Sequence, residues 1–411
     1  MDKVHISNQG YSATTTNGLN SSQSIDSSTD SSIPSNSKWK RFFKKYFLEG
    51  QKLDKEHELR LQECDAKDLP FVDRYRKYIA FAVPFVFMHI VWWTLAFRYN
   101  IFRATIAGAT SEGGGAVAFP VMVLLLHIDS TVARDFSLMI QSCGMTSASF
   151  TILFMKVQLE WHSILFCTLG STFGIILGLQ YVDQLLDGPT KKMLFVSIWF
   201  SFAISLYILN TQKKRVTYSR ISNFNWWKAC VLLVAGFVGG LCSAFAGSGV
   251  DICSFSILTL LFRVSEKVAT PTSIILMAAN TVIGFFWRQL IMTEVSDLAW
   301  EYFQVAVPVV VICAPFGAFI SSHLHRQVLA SLVYILEVVS LIGFLITSPP
   351  LTLVGVGASI IFFSFFFFLA VSKFGEKLHQ NTPAETTGIT EDNIQRKHEL
   401  PSDVLSQPST A

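Results

Sequence analysis

Nine apolar stretches dominate the chain, at 78–97, 133–155, 163–182, 192–209, 229–246, 271–292, 303–322, 329–347 and 351–371. Each is close to the roughly 20 residues that cross a bilayer's hydrocarbon core. Lipid offers no partner for an unpaired backbone amide, so every one of them must be helical. A chain of 411 residues with 51% hydrophobic and 15% charged residues, and a mean hydropathy of +0.44, is far from a soluble globular average. The expected fold class is an all-α polytopic membrane protein of about eight to ten transmembrane segments.

A glycine-interrupted apolar segment occurs twice. The first copy runs from Gly108 through Thr110, Ser111, Glu112, Gly113, Gly114 and Gly115 into an apolar run past Phe119 and Pro120. The second runs from Gly247 through Ser248, Gly249, Val250 and Asp251 into an apolar run past Phe255. Laying Gly113 on Gly249 is a shift of 136 residues, and the same shift superposes Phe119 on Phe255, Leu125 on Leu261, Val132-Ala133 on Val268-Ala269, Ser137 on Ser273 and Phe150 on Phe286. Paired glycine-broken segments in corresponding halves of a membrane chain point to a transporter's binding site.

Residues 1–37 are rich in Ser, Thr and Asn, and are expected to be a disordered cytoplasmic tail. In the basic juxtamembrane region 38–77, Trp39, Phe43, Tyr46 and Phe47 share a helical face while Lys and Arg take the others, a pattern suited to an anionic lipid surface. A calmodulin-type target helix is the alternative. Arg74, Arg76 and Lys77 precede the first transmembrane helix at 78–97, and Lys213, Lys214, Arg215, Arg220 and Lys228 fill the linker 210–228. Excess Lys and Arg mark cytoplasmic loops. Both segments are cytoplasmic only if 101–127 enters and returns as a broken hairpin. The same logic makes 229–263 a span with a short return. Membrane repeats at 101–209 and 229–371 are then inverted, each a glycine-broken hairpin followed by spanning helices. The polar tail 372–411 is also cytoplasmic. The chain is expected to be integral to the plasma membrane or an internal membrane.

A helix start presents unpaired amides and about half a positive charge, a ready anion site. Two such starts brought together by inverted repeats would build one site from Ser111, Gly113, Gly114, Gly115, Gly247, Ser248 and Gly249, with Thr110 as a further hydroxyl donor. The competing reading is that glycine only lets helices pack closely. Asp251 is either a cap on its own helix start or a proton-coupling acid. Glu337, near the centre of 329–347, should face the bundle with a partner, either as a second coupling acid or in a structural hydrogen bond to Tyr334 or another helix. Arg288 is expected to snorkel to a span end. Arg134 and Lys267 flank the hairpins and could draw anions inward, but ordinary loop charge explains both, and Gln141 and Asn280 read as glue between helices rather than as ligands.

At these residues the chain resembles the sulfite exporter TauE/SafE group of membrane permeases. The resemblance rests on Gly113-Gly114-Gly115, Pro120 and Val132-Ala133 to Ser137 in one half, and on Gly247 to Gly249 and Val268-Ala269 to Ser273 in the other. It covers most of 101–346 and includes a glycine face at Gly170, Gly174 and Gly178, echoed at Cys313, Gly317 and Ser321. The resemblance implies export or exchange of sulfite, organosulfonates or similar small anions, and implies no enzyme. Ser111, Glu112, Val250 and Asp251 depart from the family's glycines.

The partners expected are a small anionic substrate and the bilayer, with anionic lipid at 38–47. No nucleic acid or cofactor is expected, and a homo-oligomer is compatible with the reading. The seven cysteines show no CxxC or other metal-ligand spacing. HExxH, GxSxG and paired intramembrane aspartates are absent from the sequence, which ranks an intramembrane enzyme last. A membrane scaffold or receptor that kept the fold without transport is the nearer rival.

Overall fold

The computed structural model describes residues 39, 42, 43, 46, 47, 53, 54, 71–96, 121–211, 217–323 and 326–380. Thr110, Ser111, Glu112, Gly113, Gly114, Gly115 and Pro120 lie outside them, as do 1–37 and 381–411. The chain divides into two units, Met1–Phe42 and Phe43–Ala411. In the first, Trp39 and Phe42 are helical and exposed, with rings meeting edge-on at 6.2 Å. In the second, the exposed rings of Phe43 and Phe47 lie 5.1 Å apart.

Among the described residues the second unit is built from helices. They are α1 (Arg76–Ala96), α2 (Ser130–Phe154), α3 (Trp161–Leu177), α4 (Gly188–Thr211), α5 (Trp226–Ala246), α6 (Val250–Ser256), α7 (Glu266–Phe286), α8 (Asp297–His323), α9 (Arg326–Ile346) and α10 (Leu351–Gln380). By length and composition α2, α3, α5, α7, α8 and α10 are able to cross a membrane, and α6 and the second half of α9 are shorter apolar helices. The apolar window of α10 is 6% buried against 72% for α2, so Phe362, Phe363, Phe366 and Phe367 of α10 face outward while α2 is the central post.

Two ends of the bundle can be told apart by their bonds. Asp54 N–H donates to Lys156 O at 2.9 Å, and Arg76 Nη1 donates to Phe154 O at 2.7 Å, so α1 starts where α2 stops. Tyr218, in the linker before α5, donates its N–H to Arg263 O at 2.9 Å and accepts from Ser265 N at 2.8 Å. The α5–α6 pair therefore enters the bundle and returns to the end it left, which is called here the linker end. Its opposite, where α2 starts and α7 stops, is the network end. Helices α2 and α7 run antiparallel: Leu138 packs beside Gly284, while Ile152 packs with Ile274 and Ile275.

The 136-residue offset reappears in the element starts. π-helical turns occupy Val121–Leu125 and Ile257–Leu261, and left-handed residues His127 (φ 53°) and Arg263 (φ 52°) follow them. Helices then begin at Ser130 and Glu266, and again at Trp161 and Asp297. Asp129 caps α2 by accepting from Thr131 N at 2.8 Å.

The tightest seam joins α3 to α5. A Cβ on Gly170 would lie 2.0 Å from Leu233 O, on Gly174 2.1 Å from Phe237 O, and on Gly178 2.5 Å from Ala244 Cβ. Small residues let two backbones approach this closely where lipid supplies no hydrophobic drive. The expected echo in α8 is not packed this way: Cys313 is exposed, and no atom lies within 4 Å of a Cβ on Gly317. Among the described residues no hairpin helix packs on that face of α8.

Candidate functional site

The α5–α6 hairpin carries the second glycine cluster to the side of α2. Gly247 ends α5 in the left-handed region at φ +75°, with its N–H donating to Ser243 O at 2.8 Å. That conformation suits glycine, and a Cβ there would sit 2.5 Å from Ser137 Cβ and 3.0 Å from Arg134 O. Gln141 Nε2 donates to Gly247 O at 2.7 Å and to Ser137 O at 3.0 Å. Gln141 is thus the bond that holds the tip on α2. Ser243 Oγ stabilises the turn from within, donating to Gly239 O at 3.0 Å and accepting from Val250 N at 3.3 Å.

The space beside the two glycines belongs to the protein. A Cβ on Gly249 would meet Cys242 Cβ at 2.6 Å and Gly239 O at 2.8 Å. Ser248 is fully buried and its hydroxyl donates to Asp251 Oδ1 at 3.3 Å. Asp251 itself stands in the first turn of α6, beside the positive end of that helix.

Glu337 on α9 is 3% exposed, and among the described residues its Oε2 has no hydrogen-bond partner. Ile252, next to Asp251, and Tyr334, one turn from Glu337, pack on the same cluster around Phe202 and Leu260, so the bundle brings near one another two acids 86 residues apart, at 251 and 337. Tyr334, the expected partner, meets the Tyr207 ring edge-on at 5.6 Å. Asn280 is also fully buried, and among the described residues neither of its amide atoms has a hydrogen-bond partner. Lys267 is half-buried in the first turn of α7.

Directly above the tip lies a buried charge network that joins both halves of the chain. Arg134 donates to Asp135 Oδ1 through Nε at 3.0 Å and Nη2 at 2.7 Å, and its Nη1 pairs with Asp183. Asp183 also holds Lys191 Nζ at 2.6 Å. Arg288 grips Asp135 with both prongs, Nε to Oδ1 at 3.1 Å and Nη2 to Oδ2 at 3.0 Å, and reaches Glu294 Oε2 with Nη1 at 2.6 Å. Arg134 is 0% and Arg288 3% exposed. Neither expectation for these arginines holds. Arg288 does not snorkel and Arg134 is not loop charge, because each finds carboxylates inside the bundle that replace its hydration.

Asp135, Asp183, Lys191 and Glu294 are the members that sequence reasoning missed. Each sits near the end of an apolar run, where charge reads as loop. The adjacent Arg134-Asp135 pair inside α2 was the available signal, since a charge pair within a span needs partners. Among the described residues no three His, Cys, Asp or Glu side chains group to hold a metal ion.

The model of the family described as Sulfite exporter TauE/SafE matches residues 101–344. The chain belongs to the TauE/SafE family. The match takes in both glycine clusters, the hairpin, Glu337 and the whole charge network, and leaves α1 and α10 outside. No curated protein and no solved structure matches the chain. TauE/SafE membership and the apolar helices make this an integral membrane protein of a permease family.

Proposed function

We propose that this protein is a multi-pass secondary transporter for a small anion, either sulfite, an organosulfonate or a related sulfur oxyanion. The observation that carries the reading is the α5–α6 hairpin, which leaves the linker end, turns against α2 inside the bundle and returns. Broken helices that turn inside the membrane are tolerated only where protein or a water-filled path satisfies them, and in transporters they mark the substrate site. The antiparallel run of α2 and α7 at a constant offset supports a pair of inverted repeats.

Anion recognition falls to the first cluster, Ser111 and Gly113–Gly115, together with Ser248 at the second tip. Asp251 and Glu337, near one another in the bundle, form the coupling pair. The linker end is the cytoplasmic one. Arg74, Arg76, Lys77, Lys156, Arg220, Lys228, Arg263 and Lys267 gather there, whereas the loops of the network end carry Asp129, Asp187, Glu294 and Asp297. With a negative interior of about 100 mV, each negative charge gains about 2.3 kcal/mol on leaving, about fifty-fold in concentration. Efflux across a plasma membrane therefore runs downhill without a coupled proton. Uptake, or accumulation in an organelle, requires one.

One observation favours a second reading, a scaffold that kept the fold. The gaps beside Gly247 and Gly249 are filled, and a carboxylate stands in the first turn of α6. Liposomes loaded with labelled sulfite, sulfate, thiosulfate or a small sulfonate, under a negative-inside potential, separate the two. Saturable efflux lost in Gly114→Leu establishes transport at the first cluster. Folded protein with no flux for any of the four favours the scaffold reading or a different class of substrate.

A further inference from the structure

Two guanidinium groups converge on one buried carboxylate just above the hairpin tip. Arg134 gives Asp135 two N–H donors and Arg288 gives it two more, so four donors surround the two oxygens of a side chain that is 2% exposed. The planar forks of arginine match any small oxyanion that presents two oxygens on one side, whether it is tethered or free. The site also lies on the path the anion would take between the tip and the network end. Arg134 O is 3.0 Å from where a Cβ on Gly247 would stand, and Ser137, one turn further along α2, touches the tip itself.

We infer that Arg134 and Arg288 form a second anion station, and that Asp135 is the tethered anion occupying it in this conformation. The inference rests on the anion-transporter reading. At the tip, Asp251 stands in the first turn of α6 and accepts from Ser248 Oγ at 3.3 Å. The four donors that the arginine pair turns toward Asp135 are matched by that side chain and not by backbone. The outer members hold the pair in place: Asp183 and Lys191 flank Arg134, and Glu294, whose side chain is 56% exposed, flanks Arg288. Three cations and three carboxylates balance while Asp135 is in the site. When it leaves, one positive charge is uncovered, and a monovalent oxyanion restores neutrality.

The test is an equilibrium measurement on the purified full chain in detergent, independent of flux. Asp135→Ser removes the tethered carboxylate and leaves room for a free one. Sulfite, sulfate and acetate, titrated against gluconate at equal ionic strength, should raise the thermal midpoint of Asp135→Ser saturably and leave the parent unmoved. At about a hundred dissociation constants the folding equilibrium shifts about a hundredfold toward the native state. The double variant Asp135→Ser/Arg288→Gln should lose the response. An Asp135→Ser midpoint no more anion-sensitive than the parent's, or a double variant that keeps the response, overturns the assignment.

Should Asp135→Ser fail to fold without anion, its recovery by sulfite but not gluconate counts for the station, and failure with both counts against it. A second readout excludes a purely structural role. In liposomes Asp135→Asn should lower KM for efflux several-fold while slowing turnover, because the anion no longer competes with the tether. An unchanged KM with fewer active molecules overturns it. Loss of all flux with the detergent response intact would instead remove the transporter reading and leave the anion site standing.

Discussion

Gly170→Ala adds one methyl group to the α3–α5 seam and should destabilise the fold far more than its size suggests. The new Cβ would stand 2.0 Å from Leu233 O and 2.9 Å from Phe237 N, both backbone atoms of α5 that no rotamer change can move aside. An ordinary carbon–oxygen approach is about 3.3 Å or more, so the two helices must part by more than about 1 Å. Overpacking of this kind costs about 1–3 kcal/mol, and a backbone wall places it at the upper end. The control is Gly317→Ala on α8, where nothing lies within 4 Å of the new atom. There the gain in helix propensity is at most about 1 kcal/mol in the stabilising direction. The same substitution should therefore act with opposite sign at two glycines of the same family face. Thermal unfolding of both variants in one detergent, followed by size-exclusion fluorescence, reads the difference. Because α5 carries the tip, Gly170→Ala should also slow flux in molecules that remain folded. A midpoint for Gly170→Ala equal to or above that of Gly317→Ala would refute the packing account.

Gln141→Ala removes the amide that holds Gly247 O at 2.7 Å, and should cost about 1 kcal/mol and reduce flux with little loss of folded protein; unchanged flux would remove Gln141 from the hairpin's support. Arg288→Ala takes two of the four N–H donors from buried Asp135 and should cost about 3–5 kcal/mol, whereas Glu294→Gln, at a half-exposed partner, should cost under about 1 kcal/mol in chemical denaturation. Equal losses for the two would mean the network is solvated. Glu337→Gln should leave anion binding in place and flatten the pH dependence of flux. An unaltered pH profile would take Glu337 out of coupling.

The sequence carried the fold through two periodic signals. Apolar runs of spanning length located the helices to within a few residues, as with 133–155 against Ser130–Phe154 and 303–322 against Asp297–His323. The glycine register located the turn at Gly247. What escaped was pairing. Arg288 and Asp135 lie 153 residues apart, and no local pattern distinguishes an arginine that snorkels from one that finds a carboxylate on a distant helix. Glycine was ambiguous for a related reason. The same missing Cβ admits a ligand or a neighbouring backbone, and only the neighbours at 2–3 Å show that Gly247 and Gly249 face protein.

A duplicated chain with identical halves would be indifferent to being turned over in the bilayer. This one is not, because Thr270 and Pro271 stand at the offset positions of Arg134 and Asp135, so the adjacent ion pair at the heart of the network has no counterpart there. Separating buried ion pairs carries a cost of several kcal/mol that neutral contacts do not. The two faces therefore demand unequal work to open. In a transporter, gradients set the direction of net movement, and a polarity of this kind would set where the molecule waits between turnovers.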